Sequence, residues 1–259
     1  MLPICDEFIV VVGNSSDGTR EAILALNNPK IKIIDTIWDD NLRVGGQILA
    51  QQTDIAKRAI TGDWGFYIQG DEVIHEKYLP EIKKQMEAHL NNPEIDGLLF
   101  KYRHFYGNYD YVGTARKWYR YEIRVVKNHP AIHSYKDAQG FRKNGNKLNV
   151  KLIDAEVYHY GWCRPPQNQA LKQQSFNRLY DNGVENKEKL DTYTYISNTP
   201  LARFEGTHPQ VVAEKIKQTN WEFHYEPSQV KISLKDRFIL WFESLTGHRL
   251  WEYRNYKIV

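Results

Sequence analysis

The sequence predicts an α/β fold with a mainly parallel sheet, because apolar, strand-like runs alternate with stretches of helical periodicity. The runs at residues 7–12, 30–35 and 64–69 are rich in β-branched or aromatic side chains, as is typical of strands buried on both faces. Between them, residues 19–26 and 47–60 carry apolar side chains at helical spacing. Strand, helix and strand in succession favour right-handed crossovers between parallel strands.

Residues that break regular structure bound each of these elements. The first run, EFIVVV, ends at the polar turn GNSSDGT, and the helix that follows stops at an Asn-Asn-Pro turn. A Gly-Asp pair separates the second helix from the third run, WGFYIQ. The sequence therefore places three strands and two helices before residue 70.

The middle of the chain is different, because aromatic side chains dominate it. The stretches GLLFKYRHFYGNYDYVG and KWYRYEIRVVK predict strands separated by polar turns, so we expect mixed or antiparallel β structure there. Residues 165–180 and 234–245 have helical patterns, and the chain over 181–229 is rich in helical segments and loops. We therefore expect one domain over residues 1–180 and a helical, loop-rich C-terminal appendage over 181–259.

Composition narrows the range of functions. The formal net charge is only +3, from 35 Lys and Arg against 32 Asp and Glu, which is too small for a protein that binds nucleic acid through bulk electrostatics. Cys5 and Cys163 lack the spacing of a zinc site or disulfide scaffold, so we expect free thiols in a reducing compartment. No segment resembles a transmembrane helix or secretory signal. We therefore expect a cytoplasmic protein, and peripheral contact with the inner membrane face stays open.

The third predicted strand ends at Gln69-Gly70-Asp71-Glu72, and ligands of open α/β sheets bind at such strand ends. A nucleotide diphosphate carries at least two negative charges, and carboxylates are hard oxygen ligands that suit Mg²⁺ or Mn²⁺. We therefore predict that Asp71, with Glu72, anchors a metal ion and a diphosphate, while Gly70 lets the backbone approach the ligand closely. The alternative is that the two acids cap the helix predicted at residues 77–90.

Three elements in order resemble the family 2 glycosyltransferases of the GT-A fold: EFIVVVGNSSDGT, a helix ending in AITGDW, and GFYIQGDEVIHEKYLP. The resemblance covers about residues 5–180. It implies a GT-A sheet flanked by helices and the transfer of a sugar, with inversion, from a nucleotide-diphosphate sugar to a hydroxyl of a glycan or lipid-linked acceptor. It also implies dependence on Mn²⁺ or Mg²⁺ and a role in surface glycan or glycolipid synthesis.

The family's D-x-D-like element maps onto the end of the third strand. Its second acid, which binds the metal and the diphosphate, corresponds to Asp71. Gly70 stands where many members carry Ala, and Gln69 stands where they carry the first Asp. The resemblance therefore assigns Gln69, Gly70 and Asp71 to the nucleotide sugar, with a single acid in the motif.

The chain also departs from the family pattern near its start. Val12-Gly13 replace the Asp pair that commonly precedes the turn, so Asp17 alone carries over as a nucleotide-binding acid, and its alternative role is an Asx turn or helix cap. The family's first strand and helix have no counterpart before LPIC. Either the sequence is truncated, or another segment fills the gap, since an absent strand would leave two strand edges unpaired.

A second site element lies at residues 157–162, VYHYGW, which resembles the strand end whose His is a further metal ligand in several GT-A families. Neutral imidazole is a good ligand for Mn²⁺, so we predict that His159 binds the metal; the alternative is a packed His in an aromatic strand. Arg164 and Lys172 would neutralise the leaving diphosphate, or else they are solvated.

Inversion requires a carboxylate that takes the proton of the acceptor hydroxyl. The candidates between the two metal-binding elements are Asp110, Glu122, Asp137, Asp154 and Glu156. We predict Asp137, because HSYKDAQGF is a polar, Gly-containing loop where related transferases carry their acceptor-side acid. We expect Glu122 to form a salt bridge with Arg124 within a strand.

Aromatic residues of the middle region can stack on sugar rings, but we expect most of them to form the core and one or two to be functional. They are Tyr102, Phe105, Tyr106, Tyr109, Tyr111, Trp118 and Tyr119. Two other functions stay open: a nucleotide-sugar or carbohydrate-binding protein on a degenerate GT-A scaffold, and a nucleotidyltransferase. The Gly-rich basic loop with which a nucleotidyltransferase holds triphosphate is not seen near the N-terminus.

Overall fold

Helices and strands alternate in the first part of the chain, and strands dominate the middle. The computed structural model describes residues 1–13, 15–42, 44–177, 179–180, 191–196, 199–230, 233–247 and 249–259. The α-helices are α1 (Thr19–Ala25), α2 (Gln47–Ala59), α3 (Leu79–His89), α4 (Pro166–Asn177), α5 (Ala213–Lys217) and α6 (Leu234–Thr246). Short 3₁₀ helices lie at Asp40–Leu42, Val44–Gly46, Glu76–Tyr78, Gln210–Val212 and Pro227–Gln229. The strands are β1 (Phe8–Val12), β2 (Ile31–Asp35), β3 (Trp64–Phe66), β4 (Glu72–Ile74), β5 (Gly97–Tyr106), β6 (Tyr111–Gly113), β7 (Tyr121–Lys127), β8 (Ile132–Ser134), β9 (Phe141–Lys143), β10 (Asn146–Lys147), β11 (Asn149–Trp162), β12 (Leu201–Arg203) and β13 (Lys257–Ile258).

The N-terminal part contains the predicted succession of strands and helices. β1 and β2 pair in parallel, from Phe8 opposite Ile31 to Val12 opposite Asp35, and form a two-stranded sheet of their own. α1 connects these two strands, and α2 leads from β2 to β3. In the described part of the chain, β1 pairs only with β2 and β3 only with β7. The local pattern therefore predicted the elements and the parallel connection between β1 and β2.

The larger sheet has eight strands, and β5 and β11 form its centre. These two strands pair in parallel from Gly97 opposite Val150 to Tyr106 opposite Trp162, with irregularities in register along the way. β7 and β6 pair antiparallel with β5, β3 pairs antiparallel with β7, and β12 pairs antiparallel with β6. Along β11, β4 pairs antiparallel and β13 in parallel. A separate antiparallel sheet contains β8, β9 and β10.

The prediction of a mainly parallel sheet is wrong, although the general α/β class is confirmed. Most pairings in the larger sheet are antiparallel. The reason lies in the connections, because β5, β6 and β7 follow one another without a helix between them, and short connections join antiparallel neighbours. β3 then pairs with β7, with Trp64 opposite Lys127, and continues the antiparallel arrangement.

The core lies on both faces of β5, whose side chains alternate between two clusters. Leu98 and Phe100 pack with Ile82 of α3 on one face. Leu99 packs on the other face with Phe141 of β9. These five side chains are buried, as expected for a strand at the centre of a covered sheet.

A buried ion pair fixes the start of β4 against β7. Arg124 donates to Glu72 through Nε at 2.9 Å and through Nη2, and Tyr102 donates its hydroxyl hydrogen to the same carboxylate. Glu72 is therefore a structural residue, and its predicted role beside Asp71 in metal binding is wrong. The alternative of a helix cap is also wrong, because His75 accepts the hydrogen bond from Lys77 N at the start of the helical segment.

The described C-terminal residues join the same sheet through β12 and β13, and residues 181–190 of the predicted loop-rich stretch lie outside the described part. Ion pairs also hold this region in place: Glu243 of α6 meets Arg249 at 3.0 Å and Arg120 at 3.2 Å, and Arg120 also meets Glu252 at 2.9 Å.

Cys5 and Cys163 are free, as predicted. No helix in the described ranges is long and apolar enough to span a bilayer.

Replacing Glu72 by Gln should lower the free energy of unfolding by about 3–5 kcal/mol, because the guanidinium of Arg124 would stay buried without its main counter-charge. Urea denaturation of the purified variant measures this loss. The matched control is Asp154→Asn, which breaks the exposed pair between Asp154 and Lys101 and should leave stability almost unchanged. Equal stability of the two variants would contradict the structural role of Glu72.

Candidate functional site

A cavity of about 620 Å³ lies at the edge of the larger sheet where β3 and β11 end and β7 begins. Its wall includes side chains that follow β3, the start of β7, the loop at 137–139, the end of β11, α4 and the segment 249–256. Because β7 is antiparallel to β3, its amino end lies beside the carboxyl end of β3. The cavity is therefore in the place where the sequence predicted a ligand.

Asp71 is the acidic centre of one side of this cavity. Its Oδ2 accepts a hydrogen bond from Lys172 Nζ at 2.7 Å and lies 3.6 Å from His159 Nε2. Its backbone carbonyl accepts from Tyr160 N at 2.8 Å, which fixes the turn before β4 against β11. Lys172 also donates to the carbonyl of Gly161 at 2.9 Å. Asp71, His159 and Lys172 therefore form one charged group, which we call the cation corner.

Gly161 makes this close approach possible. A Cβ at this position would collide with His159 Nε2 and with Asp71 Oδ2, so a larger residue would push the two side chains apart. The glycine in VYHYGW thus leaves the space in which the side chains of the cation corner meet.

Electrostatics keep Asp71 ionised. Burial opposes the charge, but the imidazole of His159 and the ammonium of Lys172 outweigh it and hold the pKa of the Asp71 carboxyl well below its usual range. The neighbouring His104 stays neutral, because burial and the nearby His159 lower its pKa to about 3. The cation corner therefore presents a carboxylate at neutral pH.

A divalent metal ion fits the cation corner only in part. Among the residues that the structure describes, no group of three or more His, Cys, Asp or Glu side chains is placed to hold a metal ion. Asp71 and His159 offer one carboxylate and one imidazole, which suit Mn²⁺, and both line the cavity. The remaining ligands would come from phosphate oxygens and water, as is usual for such ions on nucleotides. Lys172 contacts the same carboxylate oxygen and is a second source of positive charge.

Two further carboxylates, Glu122 and Asp137, line the same cavity. Burial raises the pKa of Glu122 to about 7; Arg124, 3.6 Å away, opposes this shift, and the negative charge of Asp137 adds to it. Asp137 accepts a hydrogen bond from the hydroxyl of Tyr180 at 2.6 Å. We call Glu122 and Asp137 the acid pair.

The other three carboxylates considered for proton transfer lie outside the cavity wall. Asp154 is exposed and pairs with Lys101, and Glu156 pairs with Arg103 at 2.7 Å. Asp110 accepts from Asn108 Nδ2 in the turn before β6. Of the five carboxylates considered for proton transfer, the acid pair are therefore the two that line this cavity. The expected salt bridge between Glu122 and Arg124 is present, with Arg124 Nη1 3.6 Å from the Glu122 carboxylate, although Arg124 bonds more closely to Glu72.

Aromatic side chains cover much of the cavity wall. Trp118 and Tyr119 line it, whereas Tyr102, Phe105, Tyr106 and Tyr109 are buried in the core. Trp162 joins them from the end of β11, with its ring centroid 6.2 Å from that of Trp118. These rings offer flat faces of the kind that pack against sugars.

Several buried polar atoms on the cavity wall have no hydrogen-bond partner among the described residues. They are Arg116 Nη1, Trp118 Nε1, His159 Nδ1, Gln169 Oε1 and Asn255 Oδ1. These atoms are shielded from solvent, and Trp118 Nε1 packs against Gly113, so they lie beneath the cavity wall and do not face its interior.

Of the other predicted site residues, Gln69 lies at the cavity, and Gly70 and Asp17 lie outside it. Gln69 lines the cavity and donates to the hydroxyl of Tyr67 at 3.0 Å, whereas Gly70 is exposed and outside the wall. Asp17 is exposed and accepts from Thr19 N at 3.0 Å, which is the geometry of an Asx turn, and hydrogen bonds from Ser15 and Thr19 lower its pKa to about 2. Their roles in nucleotide binding stay predictions.

Arg164 lies just beyond β11, and its backbone exchanges hydrogen bonds with the hydroxyl of Tyr195. It is not part of the cavity wall, and Lys172 occupies the position expected of a cation beside Asp71. Sequence reasoning did not find the contribution of Trp251 and Tyr253, which also line the cavity. Their segment has no motif that would have indicated a site.

The cavity thus combines the carboxylate of Asp71 and its two basic neighbours with the acid pair and with aromatic side chains. Neither a protein-family model nor a curated protein matches this chain. What the site does therefore has to follow from its own side chains.

Proposed function

We propose that this chain is a glycosyltransferase that moves a sugar from a nucleotide-diphosphate sugar to an acceptor hydroxyl, with inversion at the anomeric carbon. The supporting observation is that one cavity contains both the cation corner and the acid pair. The cation corner suits the diphosphate, and the acid pair suits the acceptor hydroxyl. The leaving diphosphate and the attacking hydroxyl thus each have a separate group of side chains.

The diphosphate is the leaving group, and its negative charge grows as the bond between the anomeric carbon and the phosphate oxygen breaks. Lys172 places its ammonium in the cavity beside Asp71, where it can stabilise this charge. A divalent cation, Mn²⁺ or Mg²⁺, would be held by Asp71 and His159 and would act as a Lewis acid on the same phosphate oxygens. Gln69, next to this corner, is positioned for the donor.

At the other end, the oxygen of the acceptor hydroxyl attacks the anomeric carbon as its proton passes to a carboxylate. The electron pair of the broken bond leaves with the diphosphate, so charge and atoms balance. We assign the proton to the acid pair, with Asp137 as the base. Glu122 is the second candidate, because a pKa of about 7 suits proton transfer near neutral pH.

The aromatic side chains of the cavity wall favour a sugar in both the donor and the acceptor. Trp118 and Trp162 can pack against pyranose faces. We therefore expect a glycan or a lipid-linked sugar as the acceptor, in the synthesis of a surface glycan or glycolipid at the cytoplasmic side of a membrane.

A nucleotide-sugar or carbohydrate-binding protein is the alternative function. One observation favours it: Lys172 already neutralises the carboxylate of Asp71, so binding of a metal ion there competes with an internal ion pair. The two functions differ in one readout. A transferase slowly hydrolyses its nucleotide sugar when no acceptor is present, and a binding protein does not.

Replacing Asp71 by Ala should reduce turnover of the nucleotide sugar by about 10²-fold or more, because the metal and Lys172 lose their common anchor. Release of nucleoside diphosphate from a panel of nucleotide sugars measures turnover, and far-UV circular dichroism checks the fold. Asp154→Ala removes an exposed acid on the same sheet and serves as the matched control. Full activity of Asp71→Ala would overturn the assignment of the cation corner.

Replacing His159 by Ala should weaken Mn²⁺ binding about tenfold or more, on the scale expected when one ligand or its close support is lost. Titration calorimetry with Mn²⁺ and a nucleoside diphosphate measures the affinity. His133→Ala is the matched control, since that imidazole is more than half exposed and outside the cavity. Unchanged affinity in His159→Ala would make this residue purely structural.

Asp137→Asn should lower turnover by about 10²-fold or more and leave donor affinity nearly unchanged, because Asn keeps the shape but cannot accept the proton. Glu122→Gln tests the second candidate in the same way. The pH profile separates them further: Glu122 is protonated below its pKa of about 7, so if it is the base, turnover rises with pH through that value. A Gln variant that keeps both turnover and the inflection would exclude Glu122, and near-normal turnover of Asp137→Asn would exclude Asp137.

A further inference from the structure

The outer face of α6 exposes a row of large apolar side chains. Leu234, Phe238, Trp241 and Leu245 follow one another at intervals of four, three and four residues, so they form one stripe along the helix. Their exposed fractions are 82%, 59%, 56% and 66%. We call this row the outer stripe. An apolar row of this size on a water-facing helix indicates a surface that meets another phase or molecule.

The orientation of the helix is fixed by its opposite face. Ile239 is buried, and the carboxylate of Glu243 meets Arg120 at 3.2 Å and Arg249 at 3.0 Å. The ends are fixed as well, since Ser233 caps the first turn and Gly247 ends the helix in a left-handed conformation. The ion pairs therefore hold the outer stripe outward.

The charges around the outer stripe are mainly basic. Lys235 and Arg237 are exposed on the helix, and Asp236, the one acid beside them, accepts a hydrogen bond from the cap residue Ser233. The other acids after residue 230 are Glu243 and Glu252, and both pair with arginines. An anionic surface would therefore meet positive charge beside the apolar row.

The segment after α6 leads from the outer stripe to the cavity. Trp251 and Tyr253 line the cavity, yet 80% and 66% of their surfaces are exposed. Trp251 has a φ of 54°, a left-handed conformation that is rare for a bulky residue and that occurs mainly where function constrains the chain. The rim of the cavity thus carries exposed aromatic rings near the end of α6.

We propose that the outer stripe docks this protein on the surface of a bilayer that contains anionic phospholipids, with α6 lying in the plane of the interface. Trp, Phe and Leu on one face with Lys and Arg beside them are the composition of such interfacial helices. The stripe is about 17 Å long and one side chain wide, which is small for a stable protein interface. Because Trp251 and Tyr253 follow shortly after the end of α6, docking through α6 holds the rim of the cavity close to the membrane, and the consequence that the acceptor is carried by a lipid rests on the proposed transferase function.

Sedimentation with vesicles tests the docking. The wild-type chain should bind vesicles of phosphatidylcholine and phosphatidylglycerol about tenfold or more better than vesicles of phosphatidylcholine alone, because Lys235 and Arg237 beside the outer stripe attract anionic headgroups. Phe238→Gln with Trp241→Gln should lower binding to the anionic vesicles at least tenfold. The matched control is Leu24→Gln with Leu26→Gln, which removes two similarly exposed apolar side chains at the C-terminal end of α1 and should bind as the wild type does.

The outcomes separate docking from catalysis. The Phe238 and Trp241 double variant should keep its circular dichroism spectrum and its nucleotide-sugar hydrolysis without vesicles, since neither residue lines the cavity. Absence of wild-type vesicle binding, or equal loss in both double variants, would overturn the docking proposal. A wild-type dimer that the Phe238 and Trp241 variant converts to a monomer would overturn it in favour of contact between copies. Vesicle binding without hydrolysis of any nucleotide sugar would instead remove the proposed transferase and the lipid-carried acceptor, and would leave the docking intact.

Discussion

The buried ion pair between Glu72 and Arg124 determines how the cavity is built. Taking two charges out of water is costly, and here a bidentate contact and the hydroxyl of Tyr102 offset that cost. Glu72 is turned inward, whereas Asp71 lies in the turn that Glu72 N closes on the carbonyl of Gln69, and its side chain lines the cavity. The pair therefore converts two adjacent acids into one structural residue and one site residue.

The same guanidinium also links the two ends of the site. Arg124 and Glu122 lie two residues apart on β7, and Arg124 Nη1 lies 3.6 Å from the Glu122 carboxylate. This positive charge limits the rise in the pKa of Glu122 that burial causes, which leaves the value at about 7. A residue that stabilises the fold thus also sets the protonation of a candidate base.

Sequence reasoning found the local elements and part of the site, because both leave signals at short range. β1, α1, β2 and α2 were predicted from periodicity and turn residues, and the strand end at Asp71 from its position. The meeting of Asp71 with His159, 3.6 Å apart, was anticipated only through the family resemblance, since the two residues are far apart in the chain. Trp251 and Tyr253 had no motif and were missed.

Long-range pairing was the part that the sequence did not reveal. Nothing near Trp64 indicates that its strand pairs with the strand ending at Lys127, and this pairing continues the antiparallel arrangement of the sheet. The choice of Arg124 between Glu72 and Glu122 also depends on which strands are neighbours. Burial and partner geometry in three dimensions therefore determine which acids are structural and which line the cavity.

The central claim is that the cavity binds a nucleotide-diphosphate sugar, and thermal unfolding with a panel of nucleotide sugars tests it most directly. A ligand at 100 times its dissociation constant adds about 2.7 kcal/mol to the stability of the folded state. For a chain of this size, that corresponds to a rise of roughly 5–10 °C in the midpoint of unfolding. The account predicts such a rise with at least one nucleotide sugar, larger with Mn²⁺ present and absent in Asp71→Ala. No rise with any member of the panel, with or without Mn²⁺, would contradict it.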